Sequence, residues 1–437
     1  MIKPIVAIVG RPNVGKSTLF NKIIGRKVAI TADEPGVTRD LNYADVEEAG
    51  RSFTVVDTGG FDAGAKDIIL SQVREQALLA VEDADTIVFV MDARTGPAVD
   101  DKELVDMLRK SGKPVLYAVN KADTARLETG ATEFYALGLK EIYPISAEHG
   151  RGVSDLLEAV AATLPEFLPE EAETDRVKIA IVGRPNVGKS SLLNRLIGRP
   201  RAIVSDVAGT TRDPVDTRYN ALERKYLFID TAGIRKKNKV SLKVETYCVM
   251  EAIRSIERCD CALLVLDGNA GVSMQDEKIA GLIEDRGRCS VIVVNKWDVV
   301  EKDTMTTEHA KETIRKRLPF LSWAPVVFTS ALTGQRVPKV LDVVNEVMDK
   351  ARERIPTSRL NGVFEGLYLQ HRPPAFKCKE VKFYYITQTG VTPATFVIFT
   401  NIPEGVAEQY KRYLVNGLRE AFSLEGVAVR LFFRARH

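Results

Sequence analysis

The chain has 437 residues, of which 45% are hydrophobic and 28% charged, and its formal net charge is +3. This length is sufficient for about three domains, and the composition is ordinary for a soluble globular protein. No apolar run approaches the roughly 20 residues of a membrane-spanning helix, so the sequence argues against an integral membrane protein.

The N-terminal apolar run begins at Ile5 and leaves no room for a signal peptide. The five cysteines are odd in number and show no C-x-x-C pairing, which favours free thiols in a reducing compartment. We therefore expect a monomeric, cytoplasmic protein without a membrane partner, in which the cysteines are small buried side chains.

An octapeptide, Gly-Arg-Pro-Asn-Val-Gly-Lys-Ser, occurs at residues 10–17 and again at 183–190. Each copy fits the phosphate-binding pattern G-x-x-x-x-G-K-[ST]. Each follows an apolar run typical of a buried parallel strand and precedes helical sequence that ends at a glycine, Gly25 or Gly198. Strand, glycine loop and helix in this order predict two P-loops that arose by internal duplication.

These loops supply the first candidate nucleotide contacts, because backbone N–H groups at a helix N-terminus bind phosphate. We expect Lys16 and Lys189 to reach the β- and γ-phosphates as catalytic groups, and Ser17 and Ser190 to ligate Mg²⁺. The other contacts predicted in the loops are Gly10, Asn13, Val14, Gly15, Thr18, Gly183, Asn186, Val187, Gly188 and Ser191.

A D-T-x-G motif follows the second predicted strand of each half, with Asp57 and Gly60 in the first and Asp230 and Gly233 in the second. The aspartate at the strand end is expected to hold Mg²⁺ or its water shell. The glycine is expected to let a backbone N–H approach the γ-phosphate.

Between these motifs, Thr38 and Thr211 occupy matching positions in Gly-Val-Thr-Arg-Asp and Gly-Thr-Thr-Arg-Asp. We expect each threonine to close over Mg²⁺ and the γ-phosphate, as a metal ligand and catalytic group. A loop of this kind is ordered by the triphosphate and released after hydrolysis.

An N-K-x-D motif follows a later strand in each half and predicts a guanine-specific site. Its aspartate can accept hydrogen bonds from N1–H and the exocyclic amine of guanine, a donor pair that adenine lacks, so the wrong base leaves a carboxylate unpaired. Ser-Ala dipeptides further along would support the base through backbone N–H groups. The residues concerned are Asn120, Lys121, Asp123, Ser146 and Ala147 in the first half and Asn295, Lys296, Asp298, Ser330 and Ala331 in the second.

Strand-like runs alternate with helical stretches in each half, at 53–56, 86–90 and 115–119 and at 226–229, 262–266 and 291–294. This alternation predicts an α/β fold with two doubly wound sheets. We place G domain 1 at 1–165, an acidic linker at 166–175, G domain 2 at 176–355 and a small α+β domain at 356–437.

All five elements occur in order, twice, and this arrangement resembles the translation-factor-like GTPases. The tandem copies are similar to the Der/EngA family of double GTPases over nearly the whole chain. The resemblance implies hydrolysis of GTP to GDP and phosphate with Mg²⁺, a KH-like C-terminal domain, and a role in assembling the large ribosomal subunit with rRNA as a partner.

The glutamine that orients water in Ras-like enzymes is replaced by Phe61 in one half and Ile234 in the other. In related GTPases an asparagine at the position of Asn13 and Asn186 helps to hold K⁺ against the phosphates, where it would neutralise transition-state charge. We therefore expect K⁺ as a third ligand, with an asparagine that only shapes the turn as the alternative.

Three basic features near the predicted nucleotide loops have two interpretations each. Arg39 and Arg212 could act as arginine fingers, but surface residues of the switch loops are the simpler interpretation. The run at 235–239, Arg-Lys-Lys-Asn-Lys, is either a solvated face or a contact to RNA or another domain that depends on the nucleotide.

Residues 352–437 contain 13 Lys and Arg against 7 Asp and Glu, which favours a polyanionic partner. Their predicted order is helix, strand 380–387, strand 395–401, helix 406–422 and strand 427–433, without the G-x-x-G loop of a typical KH domain. The basic residues that could contact rRNA phosphates or the G domains are Lys377, Lys379, Lys382, Lys411, Arg412, Arg430 and Arg434.

The favoured function is a GTP-hydrolysing switch with two active sites that acts in ribosome biogenesis. One alternative is a nucleotide-gated scaffold for RNA or the ribosome with little hydrolysis at one or both sites, which the missing glutamines favour. A second alternative, a P-loop ATPase or nucleoside kinase, is disfavoured by the two N-K-x-D motifs.

Overall fold

The computed structural model of the chain describes residues 3–27, 43–58, 84–164, 176–198, 203–207, 216–221, 224–231, 245–300 and 306–435. The chain divides into two compact units, Met1–Glu171 with Ser241–Glu251 and Ala172–Val240 with Ala252–His437, and each is described by itself. None of the described helices is long and apolar enough to cross a membrane.

The first unit contains one sheet of six strands: β1 (Ile5–Gly10), β2 (Tyr43–Glu48), β3 (Arg51–Asp57), β4 (Thr86–Asp92), β5 (Val115–Asn120) and β6 (Tyr143–Pro144). Their order is β2-β3-β1-β4-β5-β6. The β2–β3 pair is antiparallel and the other pairs are parallel. Every residue of β1 and β4 is buried, as expected for continuous apolar strands covered on both faces.

The described helices of this unit are α1 (Lys16–Lys27), α2 (Val99–Lys110), α3 (Ala125–Gly130) and α4 (Val153–Thr163), with a 3₁₀ helix at Ala131–Leu137. Apolar residues of α1 and α4, such as Leu19, Ile23 and Leu157, join one core with β1, β3 and β4. Parallel strands packed under helices place the carboxyl ends of β1, β3, β4 and β5 along one edge, where ligands bind in folds of this type.

The second unit begins with a seven-stranded sheet in the order β13-β12-β11-β7-β10-β9-β8. Its strands are β7 (Val177–Val182), β8 (Ile203–Val207), β9 (Asp216–Ala221), β10 (Arg224–Ile229), β11 (Cys261–Asp267), β12 (Cys289–Asn295) and β13 (Val326–Phe328). Its described helices are α5 (Lys189–Ile197), α7 (Met274–Asp285), α8 (Thr306–Arg317) and α9 (Val337–Arg352), with a 3₁₀ helix at Pro319–Leu321. Helix α6 (Glu245–Arg258) belongs to this unit from Ala252 onward.

The same unit continues into a small α+β region of α10 (Thr357–Gln370), β14 (Phe383–Gly390), β15 (Ala394–Thr400), α11 (Glu408–Ala421) and β16 (Val429–Ala435), with a 3₁₀ helix at Pro403–Gly405. β15 pairs antiparallel with β14 and parallel with β16. The predicted order of helices and strands is confirmed here, with element ends displaced by a few residues.

G domain 2 and this C-terminal region share one hydrophobic core, which extends from Ile179 through Val344 to Leu418. Trp323 lies at their contact: the Arg419 guanidinium lies 4.8 Å from its ring centroid, and Gly426 N donates to its carbonyl oxygen at 2.9 Å. Burial lowers the pKa of Arg419 to about 10. A shared core of this kind couples the stability of the two regions.

Two local expectations were wrong. The first P-loop helix continues past Gly25 to Lys27, because Gly25 does not adopt the left-handed conformation that would end it. The cysteines are not all buried: Cys259, Cys261 and Cys289 are buried and free, but Cys378 is exposed. Burial raises the pKa of Cys259 to about 12 and that of Cys289 to about 11, so these two thiols are unreactive.

Two candidate nucleotide-binding sites

Each P-loop has a backbone that only particular residues can adopt. A Cβ atom on Gly15 would lie 2.3 Å from the Asn120 amide nitrogen, and one on Gly188 would lie 2.2 Å from that of Asn295. Asn13 and Asn186 both have φ 64°, a left-handed conformation that asparagine tolerates. The backbone of each loop therefore requires glycine at these positions and is compatible with asparagine at positions 13 and 186.

The P-loop lysines lie inside their loops. Lys16 Nζ donates to the carbonyl oxygens of Gly10 and Arg11, both at 2.8 Å. Lys189 Nζ donates to the equivalent oxygens of Gly183 and Arg184, at 2.5 and 2.9 Å. An ammonium group held at the mouth of a glycine loop is well placed to exchange these carbonyls for phosphate oxygens.

At the predicted magnesium position of G domain 1, Ser17 Oγ donates to Asp57 Oδ2 at 2.6 Å. A hydroxyl and a carboxylate in contact are oxygen ligands of the kind that Mg²⁺ takes together with waters and substrate phosphates. No group of three or more His, Cys, Asp or Glu that could hold a metal occurs in the part of the chain that is described. A magnesium ion here would therefore depend on phosphate oxygens and water for the rest of its shell.

The corresponding aspartate of G domain 2 has a different backbone environment. Asp230 follows β10 with φ 54°, and its N–H donates to Asp216 Oδ1 at 2.9 Å. Asp216 also receives the Arg258 guanidinium at 2.6 Å. The second predicted magnesium position thus lies next to an ion pair between β9 and α6.

At the base end, one asparagine in each half ties two loops together. Asn120 donates to the Val14 carbonyl at 2.9 Å and accepts from Ala147 N at 2.9 Å. Asn295 donates to the Val187 carbonyl at 2.8 Å and accepts from Ala331 N at 2.9 Å. The predicted Asn, Ala and P-loop residues therefore come together in both halves.

The N-K-x-D lysines connect the base end to an aspartate that the sequence analysis did not single out. Lys121 Nζ lies 2.6 Å from Asp92 Oδ2 and donates to the Asn13 carbonyl at 2.7 Å. Lys296 Nζ lies 2.7 Å from Asp267 Oδ2. Burial opposes ionisation of Asp267, but Lys296 and two backbone amides outweigh it and lower its pKa.

A second pair of carboxylates also escaped the sequence analysis. Asp101 receives a bidentate contact from P-loop residue Arg11, at 2.7 and 3.0 Å, and Asp276 lies 3.5 Å from Arg184. Burial raises the pKa of Asp276. Both aspartates, like Asp92 and Asp267, are separated by 175 residues, the offset of the two N-K-x-D motifs, so the repeat spacing was a usable signal.

The aspartates of the two N-K-x-D motifs, which are predicted to select the base, differ between the halves. Asp123 Oδ1 accepts from Ser146 Oγ and Oδ2 accepts from Arg94 Nη2, both at 2.6 Å. These two contacts lower the pKa of Asp123, with the Ser146 hydroxyl contributing most. Asp298 Oδ1 is buried and has no hydrogen-bond partner among the described residues, although Ser330 is buried in the same half.

Several predicted site residues lie outside the described residues. They are Thr38, Gly60, Thr211 and Gly233, together with Phe61, Ile234, Arg39, Arg212, the basic run 235–239 and the linker 166–175. The remaining predicted residues lie at the carboxyl-end edges of the two sheets. Thr18 and Ser191 are exposed in the first turns of α1 and α5.

Comparison with known families gives two matches that together cover most of the chain. The family described as "50S ribosome-binding GTPase" matches residues 5–121 and 178–296. The family described as "KH-domain-like of EngA bacterial GTPase enzymes, C-terminal" matches residues 354–434. The two repeats and the C-terminal region are therefore GTPase domains and a KH-like domain, as the fold indicates.

Curated relatives match over the full length. "GTPase Der" of Moorella thermoacetica is 52% identical over 434 residues, covering 99% of both chains. "GTPase Der" of Trichlorobacter lovleyi is 52% identical over 436 residues, covering 100% of this chain and 97% of the relative. Among solved structures, an Era chain crystallised with 16S ribosomal RNA is 24% identical, covers 60% of this chain and 94% of its own, and has a TM-score of 0.31, too low for any functional argument.

Proposed function

This chain belongs to the Der (EngA) family of tandem GTPases, and from that premise we propose that it acts in the assembly of the large ribosomal subunit, in the cytoplasm, as a monomeric switch with two active sites. Its activity is hydrolysis of GTP to GDP and phosphate, with GTP, GDP and Mg²⁺ as ligands. The roles of individual residues below are part of the proposal.

The observation that carries the proposal is that one N-K-x-D asparagine in each half joins the P-loop to the Ser-Ala segment. Asn120 contacts Val14 and Ala147, and Asn295 contacts Val187 and Ala331. These contacts bring the N-K-x-D motif next to the P-loop, where Asp123 and Asp298 would accept hydrogen bonds from guanine N1–H and the 2-amino group through their two carboxylate oxygens. The P-loop offers backbone N–H groups to phosphate.

We assign the phosphate contacts to Lys16 and Lys189, with backbone N–H groups of the two loops, and the metal contacts to Ser17, Asp57, Ser190 and Asp230. When bound, Mg²⁺ neutralises charge on the β- and γ-phosphate oxygens. The chain's own part is to orient the triphosphate and to hold a positive charge where negative charge develops. Thr38 and Thr211 complete the proposed metal and catalytic groups.

We assign a K⁺ contact to Asn13 and Asn186, in place of the glutamine that Ras-like enzymes use. Asn13 is exposed in its loop, and its left-handed backbone is compatible with a turn-shaping role as well, so the side chain has to be tested directly. Turnover should be several-fold faster in KCl than in NaCl, and Asn13→Ala with Asn186→Ala should remove the difference. Equal turnover rates in KCl and NaCl would indicate that the two asparagines only shape the turn of the P-loop.

The KH-like sheet supports the proposed rRNA contact. Tyr385 stacks on Phe399 with ring centroids 4.4 Å apart, and Phe432 on the neighbouring strand is 44% exposed. A groove of about 310 Å³ beside them is lined by Thr389, Thr395, Val397, Phe432, Phe433 and Arg434. Aromatic rings next to cationic side chains bind unpaired bases by stacking and phosphates by charge.

Not every predicted basic residue remains available for RNA. Arg430 donates to the Asp285 carbonyl of G domain 2 at 2.8 Å, and Lys411 pairs with Glu408. Lys382 lies 3.5 Å from Glu380, and Lys377 lies over the Phe376 ring. We therefore place the RNA contact on the sheet face near Arg434, which is exposed, with Lys379 as a further proposed contact.

Co-sedimentation with isolated ribosomal subunits under GDP, GTP and a non-hydrolysable GTP analogue tests the proposed function. Binding to the large subunit should require the triphosphate state and should weaken steeply as salt rises. Phe432→Ala and Arg434→Ala should weaken it further, with Arg126→Ala as an exposed control in G domain 1. Binding that ignores the nucleotide, or that prefers the small subunit, contradicts the proposal.

A nucleotide-gated scaffold with little hydrolysis at one site remains the second candidate, favoured by Phe61 and Ile234 in the place of the catalytic glutamine. Single-turnover hydrolysis in Lys16→Ala and Lys189→Ala variants separates the two. Comparable residual rates in both variants support two working sites, whereas a rate that falls to background in one variant assigns hydrolysis to one half.

A further inference from the structure

Arg94 is a residue for which the proposed function gives no role, and it lies on the carboxylate that should select guanine. It follows β4, in a turn where its own N–H donates to Asp92 Oδ1 at 2.9 Å. Its guanidinium reaches Asp123 Oδ2 at 2.6 Å, with 58% of the Arg94 side chain and 15% of the Asp123 side chain exposed. The ion pair is therefore accessible from solvent and can open.

The contact engages the oxygen that guanine needs. Recognition of guanine by a carboxylate uses both oxygens, one for N1–H and one for the 2-amino group. In Asp123, Oδ1 already accepts from Ser146 Oγ and Oδ2 accepts from Arg94 Nη2. A base that enters this site must share or replace the Arg94 hydrogen bond, so part of its binding free energy is spent on opening the pair.

G domain 2 lacks this arginine. The equivalent turn follows β11, where the N–H of Asn269 donates to Asp267 Oδ1 at 3.0 Å, so Asn269 occupies the place of Arg94. Asparagine carries no charge, so this turn supplies no guanidinium to the carboxylate of Asp298. The same turn thus gives Asp123 an ion pair with Arg94 in G domain 1 and carries an uncharged asparagine in G domain 2.

We propose that Arg94 is a gate on the guanine site of G domain 1, which lowers the apparent affinity of that site for guanine nucleotides relative to G domain 2. The inference rests on the proposed role of Asp123 as the guanine-selecting residue. Its consequence is ordered loading: at a limiting concentration of nucleotide, the second site fills before the first. A nucleotide concentration that saturates one domain then leaves the other responsive.

The test measures each site separately in the full-length chain by calorimetric titration with GDP. Asp298→Asn removes guanine recognition at G domain 2 and leaves G domain 1 to report, and Asp123→Asn does the reverse. In the first background, Arg94→Asn should tighten GDP binding by about 2- to 5-fold, the range of an exposed ion pair. In the second background, Asn269→Arg should weaken GDP binding by a similar factor, and Arg126→Asn serves as a charge-matched control without effect.

The salt dependence of GDP binding distinguishes an electrostatic effect of Arg94 from a purely structural one. The difference between wild type and Arg94→Asn should narrow as NaCl screens the ion pair. Unchanged or weaker GDP binding in Arg94→Asn would overturn the gate, because an arginine that supports the base by stacking would produce that result. If G domain 1 instead bound ADP as well as GDP, the role of Asp123 itself would fail, which is a different outcome from a missing Arg94 effect.

Discussion

The two GTPase domains have the same strand–loop–helix frame and different surroundings at its two ends. At the magnesium end, Asp57 accepts directly from Ser17, while Asp230 is held through Asp216 and Arg258. At the base end, Asp123 is paired and Asp298 Oδ1 is not. The two halves therefore share the strand–loop–helix frame and differ in the side chains that contact the predicted magnesium and guanine residues.

The two GTPase domains also differ in their packing against the C-terminal region. G domain 2 shares its core with the KH-like domain, through contacts such as Ser290 N to the Gly426 carbonyl at 2.9 Å and Ile355 N to Gln388 Oε1 at 2.9 Å. The following predictions test whether the two halves act as separate sites.

The largest effect is expected from the base-selecting carboxylates. Asp123→Asn or Asp298→Asn should weaken guanine nucleotide binding at the altered site by about 10³-fold, because two hydrogen bonds to a charged group are lost. Xanthine nucleotides should bind instead, since the asparagine amide can donate to the xanthine 2-carbonyl. Competition between GDP and XDP measures this change, and a variant that kept its preference for GDP would remove the aspartate from base selection.

A smaller loss is expected from the P-loop lysines. Lys16→Ala or Lys189→Ala should lower single-turnover hydrolysis at its own site by about 10²- to 10³-fold, as expected when one preorganised positive group is removed. The other site should keep its rate. Loss of both activities in a single variant would show that the two sites do not act independently.

The shared core predicts a selective loss of stability. Gly426 has φ 80°, and a Cβ atom there would lie 2.3 Å from Val347 Cγ2, so Gly426→Ala should destabilise the second unit by about 2–3 kcal/mol. Scanning calorimetry should show a lower transition temperature for that unit, with the transition of G domain 1 unmoved. Gly112→Ala is the matched control, because Gly112 also has a positive φ, 69°, but a Cβ atom there would meet nothing within 4 Å.

The smallest effect is expected at the aspartates that hold the N-K-x-D lysines. Asp92→Asn and Asp267→Asn should each weaken GDP binding by about 3- to 10-fold, because a partly buried ion pair is lost. The pKa of Asp267 lies below its unfolded value, so its stabilising contribution is present at neutral pH and is lost as pH falls through the lowered pKa. Denaturation of wild type and Asp267→Asn across acidic pH checks this, and a difference independent of pH would contradict it.

The central strands and the P-loops of both GTPase domains could be predicted from the sequence. The central strands were predictable because strands that are buried on both faces are continuously apolar. The P-loops were predictable because their glycines and asparagines occupy backbone conformations that few other residues adopt. The order of helices and strands in the C-terminal region was also predicted, whereas its KH-like character came from the family resemblance.

The residues that modify the sites were harder to predict. Asp92, Asp101 and Arg94 act through contacts that form only when distant loops meet, and each is an ordinary charged residue in a charged chain. Their spacing to Asp267, Asp276 and Asn269 repeats the 175-residue offset of the N-K-x-D motifs, but Arg94 and Asn269 differ in type. Only the folded geometry shows that this difference lies on the base-selecting carboxylate.

Calorimetric titration of the wild-type, full-length chain with GDP and with ADP is the most direct measurement of the central claim. In this account each GTPase domain has one pocket, which binds phosphate through a glycine loop and guanine through a carboxylate. We therefore expect two GDP molecules per chain, with tighter binding at G domain 2 than at G domain 1, and no comparable binding of ADP. One GDP per chain, or ADP bound as tightly as GDP, would contradict it.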